Sequence, residues 1–523
     1  MWMKSNHSTE TSEYSNLQLM MEFPFISFPF LFTFLLFLFM VFKTKFSSSP
    51  KLPPGPWKLP LIGNIHQFVG TLPHHRLRDL ATKHGPLMHL QLGQLSIVVI
   101  SSAEIAKEVM KTHDIIFASR PFNLAVSIIS EKDIALAPYG DYWRQLRKIC
   151  ILELLSVKRV QSFRPIREEE TLNLIKSIFT HTGSLINLSE KLFSLTYSIT
   201  AKATIGKKFH GQKEFISLIR QAAVVTGGFK LADLFPSVKV LPLINGLRHR
   251  LEKLHQNLDR AFTNIIDDHK VSKVTTQTGD GEAVHEDLVD VLLKLQEKGN
   301  LEIPLTTSAI KSVLLDMFGG GIETSSTTLI WAMSELLKNS RIMEKAQAEV
   351  RHVSCKIGNI LTEDDIHELS YLKLVIKETL RVHPPVPLLI PRESRERCEI
   401  NGYEIPAKTQ ILVNVWAIGR DPKNWSDPER FHPERFLDTS IDYKGTHFQF
   451  TPFGAGRRIC PGISFAVANV ELALANLLYH FDWKLPNGEK QGDLDMTEAF
   501  GGAVSKKRDL CVTPIAYHLL AGE

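Results

Sequence analysis

Two short stretches hold residues whose chemistry goes beyond packing. "FTPFGAGRRICPG" (450–462) sets Cys460 in a glycine-rich loop directly before the apolar helical run "ISFAVANVELALANLLYHF". The dipole and free N–H groups of a helix N-terminus favour thiolate over thiol. Gly454, Gly456 and Gly462 let backbone pass close to a large flat ligand and aim N–H groups at the sulfur. Arg458, two residues before the cysteine, is placed to meet an anionic group on that ligand. The second stretch, "MFGGGIETSS" (317–326), puts three glycines inside an apolar, helix-like run from about Leu305 to Leu337. Each glycine in a helix interior costs about 0.5–1 kcal/mol relative to alanine. An acid and an alcohol able to carry protons, Glu323 and Thr324, follow at once.

The elements that position these groups read as mainly helical. Short β-like runs, "LMHLQLG" and "LSIVVIS" (87–101), precede a mostly helical stretch to about residue 380. Within it "VHEDLVDVLLKLQEKGN" (284–300) has clear helical periodicity, and "SKVTTQTGDGEA" (272–283) reads as a polar surface loop. "FKLADLFPSVKVLPLI" (229–244) fits equally a loop dipping toward a membrane and a plain core segment. The 523 residues, 44% hydrophobic and 22% charged, show no internal repeat and no long linker after residue 60, which favours one large domain. A net charge of +5 argues against nucleic acid as the main partner. Cys150, Cys355, Cys398, Cys460 and Cys511 are widely spaced and form no CxxC pair. That spacing implies a reducing compartment without a disulfide framework or structural zinc site.

Ahead of this body, Phe23–Phe42 is a twenty-residue run without charge, long enough to cross the roughly 30 Å hydrocarbon core. Lys43, Lys45, Lys51 and Lys58 follow it, so the positive-inside rule puts the body in the cytosol. The expected organisation is a polar segment 1–22, a transmembrane anchor 23–42, a basic, proline-rich hinge 43–64 and a catalytic domain 65–523. Asn6 is a glycosylation sequon on the luminal side, those at Asn187 and Asn424 are cytosolic, and Met20 and Met21 are alternative starts.

Taken in order, the motifs resemble those of the cytochrome P450 family. The spacing F-x-x-G-x-R-x-C-x-G, met by Phe453, Gly456, Arg458, Cys460 and Gly462, is similar to that family's haem-binding loop. "WRQLRK" (143–148) resembles its C-helix, and "GGIETS" (320–325) its oxygen-activating motif, with Gly320 where alanine is commoner and Glu323 where aspartate is. "ETLR" (378–381), "PRE" (391–393) and "FHPERF" (431–436) match further family segments. The resemblance implies a mainly α fold with small β-sheets behind an N-terminal transmembrane helix. It implies haem b with its iron ligated by Cys460, with Trp143, Arg147, Arg392 and Arg458 at the propionates and Phe453 in the loop. Glu378, Arg381 and Arg435 would form a buried charge network. The glycines at 319–321 would then leave room for O2 and substrate, while Thr324 and Glu323 hold water and relay protons. Electron density from the thiolate promotes O–O cleavage.

No G-x-G-x-x-G opens a βαβ unit, so electrons must arrive from another protein. The resemblance implies NADPH-cytochrome P450 reductase, docking near the cysteine loop, with Arg144, Lys148 and Arg457 as basic contacts. It implies a single-pass protein of the endoplasmic reticulum membrane, in contact with lipid. Positions the family would place around the pocket are apolar: Ile128, Ile129, Phe318, Val386, Leu388, Leu389, Ala503 and Val504, with Gly320 beside them. Such a wall favours an apolar small molecule held by shape. "LPHHRLRDLA", "LELLSVKRVQSF" and "NVWAIGRDP" resemble plant microsomal members of the 71 clan, 71D-like, including terpenoid hydroxylases and casbene-type diterpene oxidases. Terpenoid oxidation in plant specialised metabolism is the expectation. Alkaloid or phenolic oxidation, a haem-thiolate isomerase or dehydratase needing no O2, and a non-catalytic haem sensor or store are the alternatives. The intact Glu323–Thr324 pair argues against the isomerase.

Overall fold

A computed structural model describes residues 51–130, 133–207, 212–226, 231–238, 246–276, 286–353 and 361–517. The anchor at 23–42, Asn6 and Cys355 lie outside them, as do half of the 229–244 segment and residues 277–283 of the 272–283 loop. The two β-like runs are strands β1 (Leu87–Leu92) and β2 (Leu95–Ile100), antiparallel in the register Leu87↔Ile100 to Leu92↔Leu95. Gly93, at φ +59, makes the tight turn between them. β3 (Arg392–Glu393) and β4 (Gln410–Val413) complete the sheet, β4 pairing parallel to β2 and antiparallel to β3. The proline-rich segment is not a free hinge as far as Asn64. Pro54 O accepts from the His89 N–H (2.8 Å), and Asn64 exchanges bonds with Gln91 through its backbone N–H (2.6 Å) and its Oδ1 (2.8 Å). Pro53 onward therefore belongs to the folded body.

Helices supply most of that body. α1 (Asp141–Ile149), α2 (Leu188–Ile205), α3 (Gln212–Thr226) and α4 (Leu247–Thr276) precede a long pair, α5 (Thr307–Gly321) and α6 (Glu323–Lys338). α7 (Ser370–Val382) and α8 (Ile463–His480) follow. The periodic 284–300 stretch forms a helix over Leu288–Lys298, started by the Asp287/Asp290 capping box and ended by Gly299 at φ +60. Thr306 caps α5, its hydroxyl accepting from the Ala309 N–H (3.1 Å). The run expected as one helix is interrupted at Ile322 (φ −87, ψ −66), immediately after the three glycines. α6 packs against α2, α7 and α8, and α5 against α2 and α3, so the break lies within the helical core. Among the described residues α8 alone is long and apolar enough to span a membrane by composition, but 67% of that window is buried in this core. A C-terminal hairpin, β5 (Glu498–Phe500) and β6 (Val504–Lys506), is tied to the helices by Trp331 Nε1, which donates to Val504 O (3.1 Å).

Candidate active site

The cysteine loop closes on itself. Cys460 N–H donates to Phe453 O (3.0 Å) and Ile459 N–H to Gly456 O (3.1 Å). Gly456 sits at φ +67, where side chains are strained, and a Cβ there would lie 2.6 Å from Asp114 Oδ1. The closed loop presents Phe453, Arg458 and Cys460 to a largely apolar cavity of about 550 Å³. Burial pushes the Cys460 thiol up, against a hydrogen bond from Gly462 and the charge of Arg147. The helix N-terminus thus does not by itself secure the thiolate; a cation on the sulfur would.

Arg120, Arg147, Arg392 and Arg458 line the same cavity. Arg458 spans three carbonyls, Ala118 (2.6 Å), Ile134 (3.3 Å) and Ala137 (2.6 Å). Arg147 donates to Ile459 O, while Arg392 bonds Asp114 Oδ1 (3.1 Å) and Ala455 O (2.7 Å). Desolvation, then repulsion from Arg392 and Arg147, pulls Arg458 down to about 9. Arg120 is lowered too, by desolvation and then by Arg458 and Arg392. Four crowded guanidiniums fit a ligand that brings its own carboxylates, which would relieve that repulsion. Sequence reading passed over Arg120, whose one signal was a lone basic residue between Ser119 and Pro121. Trp143, expected at a propionate, does not itself line the cavity. Its Nε1 donates to Ile134 O (2.9 Å) and its ring lies 4.0 Å from the Arg458 guanidinium carbon, so it braces an arginine.

On the α5 side of the cavity, Cβ atoms at Gly319 or Gly320 would meet nothing within 4 Å, whereas one at Gly321 would lie 3.1 Å from Thr200 Oγ1. The first two keep the cavity open and the third permits packing. Thr324 Oγ1 donates to Gly320 O (2.7 Å) across the break. Glu323 and Thr324 both line the cavity. Burial pushes the Glu323 carboxyl up, against a hydrogen bond from the Ala503 backbone and the charge of Arg220. The acid is therefore tied to the β5–β6 hairpin.

Behind the cysteine loop, α7 presents Glu378 and Arg381 one turn apart, both side chains fully buried. Arg381 Nε and Nη2 reach the two Glu378 oxygens at 2.8 Å, and Arg435 Nε joins at 2.9 Å. Arg381 Nη1 also bonds Gly419 O (2.6 Å) and Pro428 O (2.7 Å), so the triad pins the loop after β4.

Of the expected pocket residues, Gly320, Val386, Leu388, Leu389, Ala503 and Val504 line the cavity. Ile128, Ile129 and Phe318 do not. Phe318 turns to the core, edge-on to Phe215 with centroids 4.9 Å apart. Leu314, Phe318 and Ile322 share one helix face, whereas Met317, Gly320 and Thr324 share another. Ile128 and Ile129 end a short helix, Leu124–Ile129, that packs on α4, where His255 Nδ1 bonds Ile129 O (3.3 Å). Of the basic contacts expected for a reductase, Arg144 pairs with Asp141 and Arg457 with Asp114 (3.2 Å). Lys148 is exposed.

Comparison with known proteins agrees with this geometry. Residues 53–512 match the family model described as Cytochrome P450. The chain is 56% identical to a desmethyl-deoxy-podophyllotoxin synthase of Sinopodophyllum hexandrum, over 90% of this chain and 93% of that one. It is 55% identical to cytochrome P450 71D11 of Lotus japonicus (91% and 97% covered). It is 53% identical to a premnaspirodiene oxygenase of Hyoscyamus muticus (91% and 95% covered). Among solved structures, a zebra fish cytochrome P450 with abiraterone superposes with a TM-score of 0.71 at 26% identity, covering 86% of this chain and 99% of that chain.

Proposed function

The chain belongs to the cytochrome P450 family, as a monooxygenase with plant relatives of the 71D type, and on that premise we propose that it oxidises an apolar terpenoid. Haem held by a cysteine thiolate supplies the activation of O2 in this family. The carrying observation is that Cys460, the arginine cluster and the bare glycine wall all line one largely apolar cavity.

In this reading Cys460 ligates the iron, and Arg120, Arg147, Arg392 and Arg458 hold the haem carboxylates. Apolar Val386, Leu388, Leu389, Ala503 and Val504 orient a hydrocarbon skeleton and exclude water. Glu323, raised by burial, holds a proton at its carboxyl. Thr324 keeps its hydroxyl oxygen able to accept a hydrogen bond while donating to Gly320 O. The likeness to a premnaspirodiene oxygenase supports a terpenoid, and the likeness to a tabersonine 16-hydroxylase, 52% identical, makes an alkaloid the second class to test. The apolar run 23–42 and the lysines after it support an anchor in the endoplasmic reticulum membrane with the catalytic body in the cytosol. Electrons come from NADPH-cytochrome P450 reductase, docking on the side of the cysteine loop where Lys148 is exposed.

The test is NADPH-dependent turnover in yeast microsomes holding this protein and a plant reductase, with mono-, sesqui- and diterpene hydrocarbons. A product one oxygen heavier supports the reading. Turnover only of alkaloids or phenolics, or a rearranged product formed without NADPH, overturns it. Cys460→Ala is expected to abolish the thiolate signature of the reduced, CO-bound haem; a retained signature would reassign the ligand.

A further inference from the structure

Residues 133–137 are gripped from both sides. Carboxylates take the N–H groups: Asp316 Oδ2 accepts from Ile134 (2.6 Å), and the same carboxyl from Ala135. Asp133 Oδ1 accepts from Leu136 (2.5 Å) and Ala137 (3.0 Å). Cations and an indole take the carbonyls. Ile134 O accepts from Trp143 Nε1 (2.9 Å) and Arg458 Nη1 (3.3 Å), Ala135 O from Arg120 Nε (2.9 Å), and Ala137 O from Arg458 Nη2 (2.6 Å).

Asp316 belongs to α5, one turn before Gly320, so this carboxyl links the glycine wall to the arginine cluster across the cavity. Peptide units in such a chain polarise one another, so a carboxyl on the N–H side strengthens the carbonyl on the other. Among the described residues neither Asp133 nor Asp316 pairs with an arginine at ion-pair distance, although the charge of Arg120 acts on Asp133. Desolvation, then the nearby charge of Asp133, pushes the Asp316 carboxyl up, which is tolerable because backbone N–H groups hold it.

We propose that Asp316 is a positioning residue for the haem: by fixing Ile134 and Ala135 it sets the carbonyls against which Arg120 and Arg458 are aimed into the cavity. The proposal rests on the haem reading above and extends it to Asp316, a cavity-lining carboxyl outside the set of residues that would hold the haem. Asp316 thereby governs how firmly the propionate end is held.

The experiment measures haem transfer from the purified full-length protein to excess apomyoglobin, with thermal unfolding in parallel. Asp316→Ala is expected to speed haem loss about tenfold, the loss of bonds to an ionisable acceptor. Asp316→Asn, which keeps one acceptor atom, is expected to speed it about two- to fourfold. Leu314→Ala removes bulk from the core face of the same helix and is expected to lower stability without speeding haem loss. Haem loss from Asp316→Ala that merely follows its stability, as in Leu314→Ala, would overturn the proposal. If Asp316→Ala does not accumulate, Asp316→Asn decides: a rate equal to that of Leu314→Ala overturns it. Absence of haem from the unsubstituted protein would instead sink the haem reading itself.

Discussion

Thr324 does two things with one hydroxyl. It fills the carbonyl of Gly320 where the helix breaks, and it offers an oxygen to the cavity beside a carboxyl that burial has raised. Thr324→Ala is expected to leave the haem spectrum intact while coupled turnover falls about tenfold or more and peroxide rises per NADPH consumed. Thr324→Ser keeps the hydroxyl and should restore most of the coupling. Equal coupling in all three proteins, read from NADPH, peroxide and product together, would remove Thr324 from proton handling.

The elements explain which residues the sequence revealed. The cysteine loop was legible because its chemistry is local: glycines at fixed offsets, an arginine and a cysteine before a helix. The Glu378–Arg381–Arg435 triad was legible only through family likeness, since an i,i+3 pair is ordinarily a surface pair worth a few tenths of a kcal/mol. The core-facing side of Phe318 was not legible because α5 carries apolar residues toward the cavity (Leu315, Met317) as well as toward the core (Leu314, Phe318), so apolarity does not say which face meets the cavity. Ile128 and Ile129 failed for a related reason: a six-residue helix has no second turn to reveal its orientation. Arg120 was missed because its partners, the carbonyls of Ala135, Ile390 and Pro391, come from distant chain and leave no spacing to read. The glycine wall makes a prediction of its own. Gly320→Val adds bulk into open space and is expected to weaken turnover of the largest substrates about tenfold, with the haem spectrum unchanged. Gly321→Ala presses on Thr200 instead and should lower the melting temperature without changing size preference. Matching size profiles for the two variants would separate the wall from the substrate.

At the scale of the whole molecule, charge buried for structural reasons shapes the pH dependence of stability. Glu471 of α8 is pushed up to about 7, by burial first and by Glu363 next, with Lys373 opposing. A carboxyl raised in the folded state binds a proton that the unfolded chain releases, so its contribution is lost as pH climbs from about 4.5 through 7. Glu434 works the other way: burial raises it, yet its own N–H, Arg341, Lys345 and Tyr371 hold it at about 2. Its contribution is present above about 4.5 and lost as pH falls toward 2. Glu471→Gln is expected to match the unsubstituted protein near pH 5 and to exceed it by about 1–2 kcal/mol at pH 8. Thermal melts across that range check this; parallel curves for the two proteins would show that Glu471 ionises freely. The cavity wall has a different consequence. Its position is held by main chain, with Val504 N–H on Pro385 O (2.8 Å), Leu389 N–H on Val386 O (3.0 Å) and Trp331 on Val504 O. Unlike the buried Leu388, Ala503 and Val504, the partly buried side chains at 386 and 389 therefore carry little of the burden of keeping that wall in place. They are free to drift while the scaffold persists, so new substrate preferences are accessible by single steps that leave the enzyme folded.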